Sequence, residues 1–177
     1  MLPEGYEISV AGQEDFEALV PQLRDVLHRC VEAGASVNFV LPFSQDDALA
    51  FWRRRVEPKV KDGLLDLIVA FNGAGVVGTV MLDRDTPPNQ PHRADVSKLL
   101  VHPDHRRKGL GNALMARLEE RALEAGRTLL TLDTRTGDSA EPLYKGLGYQ
   151  VVGSIPDYSV DPFGEGHDAT TLFYKQL

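Results

Sequence analysis

The sequence predicts an α/β fold of the mixed, or α+β, kind: one sheet with helices placed before and after a strand meander. Three observations carry this expectation. Apolar side chains between 14 and 33 recur at helical spacing, three consecutive segments between 64 and 101 read as strands, and helical periodicity returns near 109 before strand patterns close the chain. With 177 residues, 42% hydrophobic and 25% charged, the chain suits one globular domain, so residues 1–177 are expected to form a single unit.

The elements follow in order. "YEISV" alternates like a strand, and Phe16, Leu19, Val20, Leu23, Val26, Leu27 and Val31 then mark one face of a helix that Gly34 should stop. Ser44 is placed to cap a second helix, "QDDALAFWRRRVEPKVKDG", whose early carboxylates and later bases suit the macrodipole and which Pro58 should bend or interrupt. Strands "LLDLIVAFN" and "GVVGTVMLD" are joined by a tight "NGAG" turn, and "RADVSKLLV" follows the proline-rich loop "DTPPNQP". A helix from about 109 to 125, a strand "TLLTLDT", a short helix near 140 to 147 and strands "YQVVGSI" and "ATTLFYKQL" complete the chain.

Composition narrows the function classes. The 26 Asp and Glu outnumber the 19 Lys and Arg, a net charge of -7 that repels nucleic acid and acidic membranes and favours a cationic or amine substrate. Cys30 is the only cysteine and falls in the first helix's apolar pattern, so a buried inert thiol and a reducing, cytoplasmic setting are expected. The opening "MLPEGYEISV" lacks a basic, then apolar, signal pattern, and no window is apolar enough for a membrane span. The five histidines are scattered without metal-ligand spacing, so no metal is expected; His102 and His105 are expected to be exposed loop residues. Arg53, Arg54 and Arg55 fit a solvated helix face better than a nucleic-acid patch.

Chemistry concentrates in "VHPDHRRKGLG". A strand running through it into a helix gathers backbone N–H groups at the helix N-terminus, an anion site to which Arg106, Arg107 and Lys108 add charge. Gly109 and Gly111 allow close backbone approach, and phosphate is the natural anion. The spacing matches neither the triphosphate pattern, since no Lys follows the second glycine, nor the dinucleotide pattern, since Leu114 stands at the third glycine position.

"VHPDHRRKGLG" resembles the acyl-CoA pyrophosphate loop of the GCN5-related N-acetyltransferase (GNAT) superfamily, R-x-x-G-x-G/A, here Arg106, Gly109 and Gly111. "EPLYKGLGYQVVG" resembles that superfamily's later Tyr-x-x-x-Gly-Phe/Tyr segment. "GASVNF", "RADVSKLLV", "LDTRTGDSAEPLY", "PDY" and "HDATTLFYKQL" are similar to stretches of the tabtoxin-resistance type of acetyltransferase, which extends the likeness over most of residues 30 to 177. The resemblance implies a mixed, twisted sheet flanked by helices, splayed between its central strands where pantetheine enters, and a homodimer. It departs at Gly137, Asp138 and Ser139, where many members carry Asn.

The implied activity is transfer of acetyl from acetyl-CoA to a small amine, such as a toxin or antibiotic, with a protein or peptide amine as the alternative. A non-catalytic acyl-CoA-binding regulatory domain is the alternative of another class. Backbone N–H groups at Leu100 and Val101 are expected to serve the oxyanion and align pantetheine, and Arg106, Arg107, Lys108, Gly109, Leu110 and Gly111 to hold the pyrophosphate. Tyr144 falls on the general-acid position, with a role in packing beside the cofactor as its alternative. Asp95 and Asp133 both qualify to attract the amine and accept its proton, or else to cap turns or pair with surface bases. Phe39, Tyr158 and His167 are candidates to shape the acceptor pocket.

Overall fold

The computed structural model describes residues 2–73 and 75–177; the predicted "NGAG" turn includes Ala74, which lies outside the described residues. The strands are β1 (Tyr6–Val10), β2 (Leu65–Asn72), β3 (Gly75–Asp83), β4 (Arg93–Val101), β5 (Leu129–Arg135), β6 (Gln150–Val160) and β7 (His167–Gln176). They form one sheet in the order β1-β2-β3-β4-β5-β7-β6, antiparallel everywhere except between β4 and β5. That sheet joins strands from both ends of the chain.

Helices cover both faces. Helix α1 (Phe16–Glu32) turns its whole predicted stripe inward, with Cys30, and lies with α2 (Gln45–Phe51) and α3 (Glu57–Lys61) on one face. Gly34, at φ +80°, ends α1 as expected, and Ala35 N–H reaches back to the Cys30 carbonyl at 3.0 Å. The other face carries α4 (Leu110–Glu124) and α5 (Ala140–Gly146). Between these layers β2 sends Leu65, Leu67 and Val69 to one core and Ile68 and Ala70 to the other. Its near-continuous apolar run is therefore that of a strand buried on both sides.

Ser44 caps α2 reciprocally: its hydroxyl accepts from Asp47 N–H at 3.1 Å while the Asp47 carboxylate accepts from Ser44 N–H at 2.9 Å. Pro58 acts as predicted. The backbone widens into a π-helical segment over Trp52–Val56 before α3 begins, which accommodates the missing proline N–H. Trp52 is buried there and donates to the Leu23 carbonyl at 3.0 Å, tying the break to α1. No helix among the described residues is long and apolar enough to cross a membrane.

Candidate active site

The site originates in a failure of strand pairing. Parallel β4 and β5 align only at Arg93↔Leu129, Ala94↔Leu130 and Asp95↔Thr131, after which β4 runs on to Val101 and β5 to Arg135 without facing each other. The predicted splay is therefore present, and it leaves an edge of unpaired backbone on β4. A bulge on the other side of β4 contributes to the divergence, because Thr79 aligns with Leu100 but Met81 with Ser97. Lys98 sits in this bulge at φ +51°, and its carbonyl accepts a hydrogen bond from the buried Thr79 hydroxyl at 3.0 Å.

A cleft of about 740 Å³ opens from the splay. Leu100, Val101, Arg106, Arg107, Gly109, Leu110 and Gly111 of the predicted cofactor set line it, together with Asp133 and Tyr144. Lys108 instead turns away, donating to the Tyr6 hydroxyl at 3.0 Å. Gly137, Asp138 and Ser139, where the sequence departs from the superfamily pattern, also line the cleft. Sequence reasoning missed Asn112, Arg135 and Lys98 in the lining; the only signal for Lys98 was a charged residue in alternation with Ala94, Val96 and Leu100 along the strand.

The glycine-rich loop has the build of an anion cradle. Arg107 at φ +61° and Gly109 at φ +79° curl the backbone, and the first α4 bond runs from Ala113 N–H to the Gly109 carbonyl at 3.1 Å. The N–H groups of Leu110, Gly111 and Asn112 precede that bond and have no partner within the helix. At Gly111 a Cβ would lie 2.8 Å from Leu143 Cδ1, so glycine permits α4 to close on α5. Arg106 donates through Nε to the Val101 carbonyl at 3.1 Å, joining the loop to the strand end. His102 and His105 are half-buried rather than exposed as expected. His105 lies 2.9 Å from the Tyr6 hydroxyl, and burial pushes its pKa down.

The three proposed catalytic side chains are not equally placed. Tyr144 is buried on α5, edge-on to Tyr149 and tilted against Phe173, both with ring centroids at 5.8 Å. Burial, with Asp138 and Asp133 adding to it, pushes its phenol well above the ordinary value and keeps it protonated. Asp133 is exposed on β5 and accepts from the Thr170 hydroxyl at 2.8 Å, which fixes one of its carboxylate oxygens. Asp95 lies where β4 and β5 still pair, and both Arg93 and the Thr131 hydroxyl hydrogen-bond the same oxygen of its carboxylate. It is not among the cleft-lining residues.

Cys30 is buried at the cleft's inner wall, its thiol pushed up by burial and donating to the Val101 carbonyl at 3.4 Å. Of the acceptor-pocket candidates, Phe39 borders a second hollow beside the cleft. Tyr158 and His167 lie on β6 and β7 and line neither space, β6 running beyond the predicted strand "YQVVGSI" to Val160.

A model of the acetyltransferase (GNAT) family matches residues 23–149, from within α1 through the glycine-rich loop to Tyr149. The chain belongs to the GNAT acetyltransferase family. Among curated proteins, an acetyltransferase of Pectobacterium atrosepticum is 30% identical over 151 residues, which are 84% of this chain and 91% of that protein. Two solved structures share the fold with a TM-score of 0.76 and 22% identity. One is YncA of Salmonella typhimurium, described as an acetyltransferase with its cofactor acetyl-CoA, covering 98% of this chain and 95% of that one. The other is a ribosomal-protein-alanine N-acetyltransferase of Brucella melitensis, covering 97% and 99%. The mixed seven-stranded sheet with helices on both faces is thus the fold of this GNAT N-acetyltransferase.

Proposed function

We propose that this N-acetyltransferase moves the acetyl group of acetyl-CoA directly to the nitrogen of a small amine. One observation carries the reading: the splay, the α4 N-terminus, the Tyr144 phenol and the Asp133 carboxylate open into the same cleft. Acetyl-CoA supplies the activated acyl group as a thioester. The residues present suit it, because unpaired β4 backbone offers hydrogen bonds to an extended chain and the curled loop before α4 offers N–H groups and Arg106 and Arg107 to a pyrophosphate.

In this reading Tyr144 Oη holds a proton through neutral pH, available to the departing sulfur. Asp133 attracts the acceptor's ammonium group and takes its proton, directly or through water. Asp95, held by Arg93 and Thr131, orders the paired part of the β4–β5 seam. The tabtoxin-resistance type of activity, a toxin or antibiotic as acceptor, a cytoplasmic setting, action of residues 1–177 as one unit and a homodimer belong to the same proposal. Exposed Val151, Val152, Ile155 and Val160 on edge strand β6 support the homodimer, because a second copy would remove them from water.

The Brucella protein's name describes an alanine acceptor on a ribosomal protein, which makes a protein or peptide amine the second reading. Incubation with acetyl-CoA and separate pools of small amines and peptides, followed by mass spectrometry, tests the choice. N-acetylated small amines support the proposal, acetylated peptides alone replace it with the second reading, and tight cofactor binding without any product supports a regulatory domain.

A further inference from the structure

The bulge in β4 places a lysine beyond salt-bridge reach of any carboxylate among the described residues. Lys98 is 9% exposed and lines the cleft, yet among the described residues it has no ion pair. Its ammonium lies instead over two aromatic rings, 5.7 Å from the Phe39 centroid and 5.4 Å from the Phe51 centroid. A buried ammonium is costly unless it is paired, and cation–π contacts offset only part of that cost. Burial pushes its pKa down to about 8, while the Asp133 carboxylate favours the charged form without reaching salt-bridge distance.

The same two rings border the second hollow. That space, about 550 Å³, is lined by Phe39, Phe51, Arg54 and Arg55. Arg53 next to them is paired with Glu17 and Glu57, but Arg54 and Arg55 are exposed and, among the described residues, without an ion pair. A protein of net charge -7 thus gathers three uncompensated cations around one aromatic wall beside its acetyl-transfer cleft. Asp47 is the acidic residue in the hollow's lining, and its carboxylate is engaged by the Ser44 backbone and hydroxyl.

We propose that Lys98, backed by Phe39 and Phe51 and with Arg54 and Arg55 bordering the same two rings, is the acceptor's carboxylate site, so that the amine acetylated is one that also bears a carboxylate close to its nitrogen. The geometry is complementary. Lys98 and Asp133 present opposite charges to one cleft without pairing, so a zwitterion can set its carboxylate against the first and its ammonium against the second. The negative net charge alone favours a cationic acceptor; the local arrangement redirects that preference to an amine with a compensating anion. This inference rests on the acetyl-transfer reading only for the identity of the cleft, because carboxylate binding is measurable without turnover.

The test uses calorimetry on the full chain in the presence of CoA, with amino acids and their carboxamides as matched probes. The wild type is expected to bind the carboxylates roughly tenfold or more tightly than the carboxamides, as one charge-assisted contact requires. Lys98→Met should abolish that difference while leaving CoA affinity unchanged, and Arg54→Ser with Arg55→Ser should weaken the carboxylate probes with a steeper dependence on salt in the wild type. Equal binding of carboxylate and carboxamide by the wild type overturns the inference, as does a preference that survives Lys98→Met. Preferential carboxylate binding lost in Lys98→Met, without thiol release from acetyl-CoA, upholds the site and counts instead against acetyl transfer.

Discussion

Replacing Tyr144 by Phe removes one oxygen from a side chain whose ring is otherwise fixed. The ring keeps its contacts with Tyr149 and Phe173, and no described residue contributes a hydrogen bond that shifts its hydroxyl. The substitution should therefore change stability by less than about 1 kcal/mol, since it neither opens a cavity nor strands a partner. Turnover should respond differently. A positioned proton donor contributes on the order of 10² to 10⁴ in rate, or about 3 to 5 kcal/mol at 1.36 kcal/mol per decade. Steady-state thiol release at saturating acetyl-CoA and acceptor should show that loss in kcat, with the KM for acetyl-CoA within about twofold of the wild type. Because burial raises the phenol above its ordinary 10.0, Tyr144 adds no alkaline limb to the wild-type profile below that pH. A Phe variant with wild-type kcat would refute the acid role and leave Tyr144 as packing beside the cofactor.

Arg106→Ala should raise the KM for acetyl-CoA about tenfold or more with kcat at saturation preserved, in steady-state assays, because a charge-assisted phosphate contact is lost. Gly109→Ala places a Cβ at φ +79°, where an L-residue costs about 1 kcal/mol; a drop of about 2 to 4 °C in Tm and weaker CoA binding by calorimetry should follow. Lys98→Met removes a buried charge whose folded pKa is about 8 against 10.5 for the free group. The unfolded chain binds the extra proton between those values, so the wild type's penalty, up to about 3 kcal/mol, is complete below pH 8 and disappears as pH rises toward 10.5. Urea titrations should find Lys98→Met more stable at pH 7 and equal to the wild type near pH 10.5.

Local patterning made much of the frame legible. The strands read at 75–83 and 93–101 have the observed bounds, since the apolar run of the one stops at Asp83 and the alternation of the other before His102. The last hairpin was harder. Pro156 signals a stop, but β6 is an edge strand and absorbs Pro156 and Asp157 in an irregularity between Ile155 and Ser159, continuing to Val160. That extension carries Tyr158 away from the cleft. The glycine-rich loop before α4 was readable because it is contiguous and its glycines meet local conformational demands. Lys98 was not, because its burial depends on Phe39 and Phe51, brought to it from other parts of the chain. The contrast between Asp95 and Asp133 was equally hidden: both are strand aspartates, and only the point at which β4 and β5 part decides which one faces the cleft.

The most direct test of acetyl transfer is thiol release from acetyl-CoA by the wild-type chain, followed with and without each member of a panel of small amines. Acceptor-dependent release is expected, strongest for amines that carry a carboxylate, with N-acetylated acceptor formed in equal amount. No acceptor-dependent release across small amines and peptides, from a chain that binds acetyl-CoA, would contradict acetyl transfer.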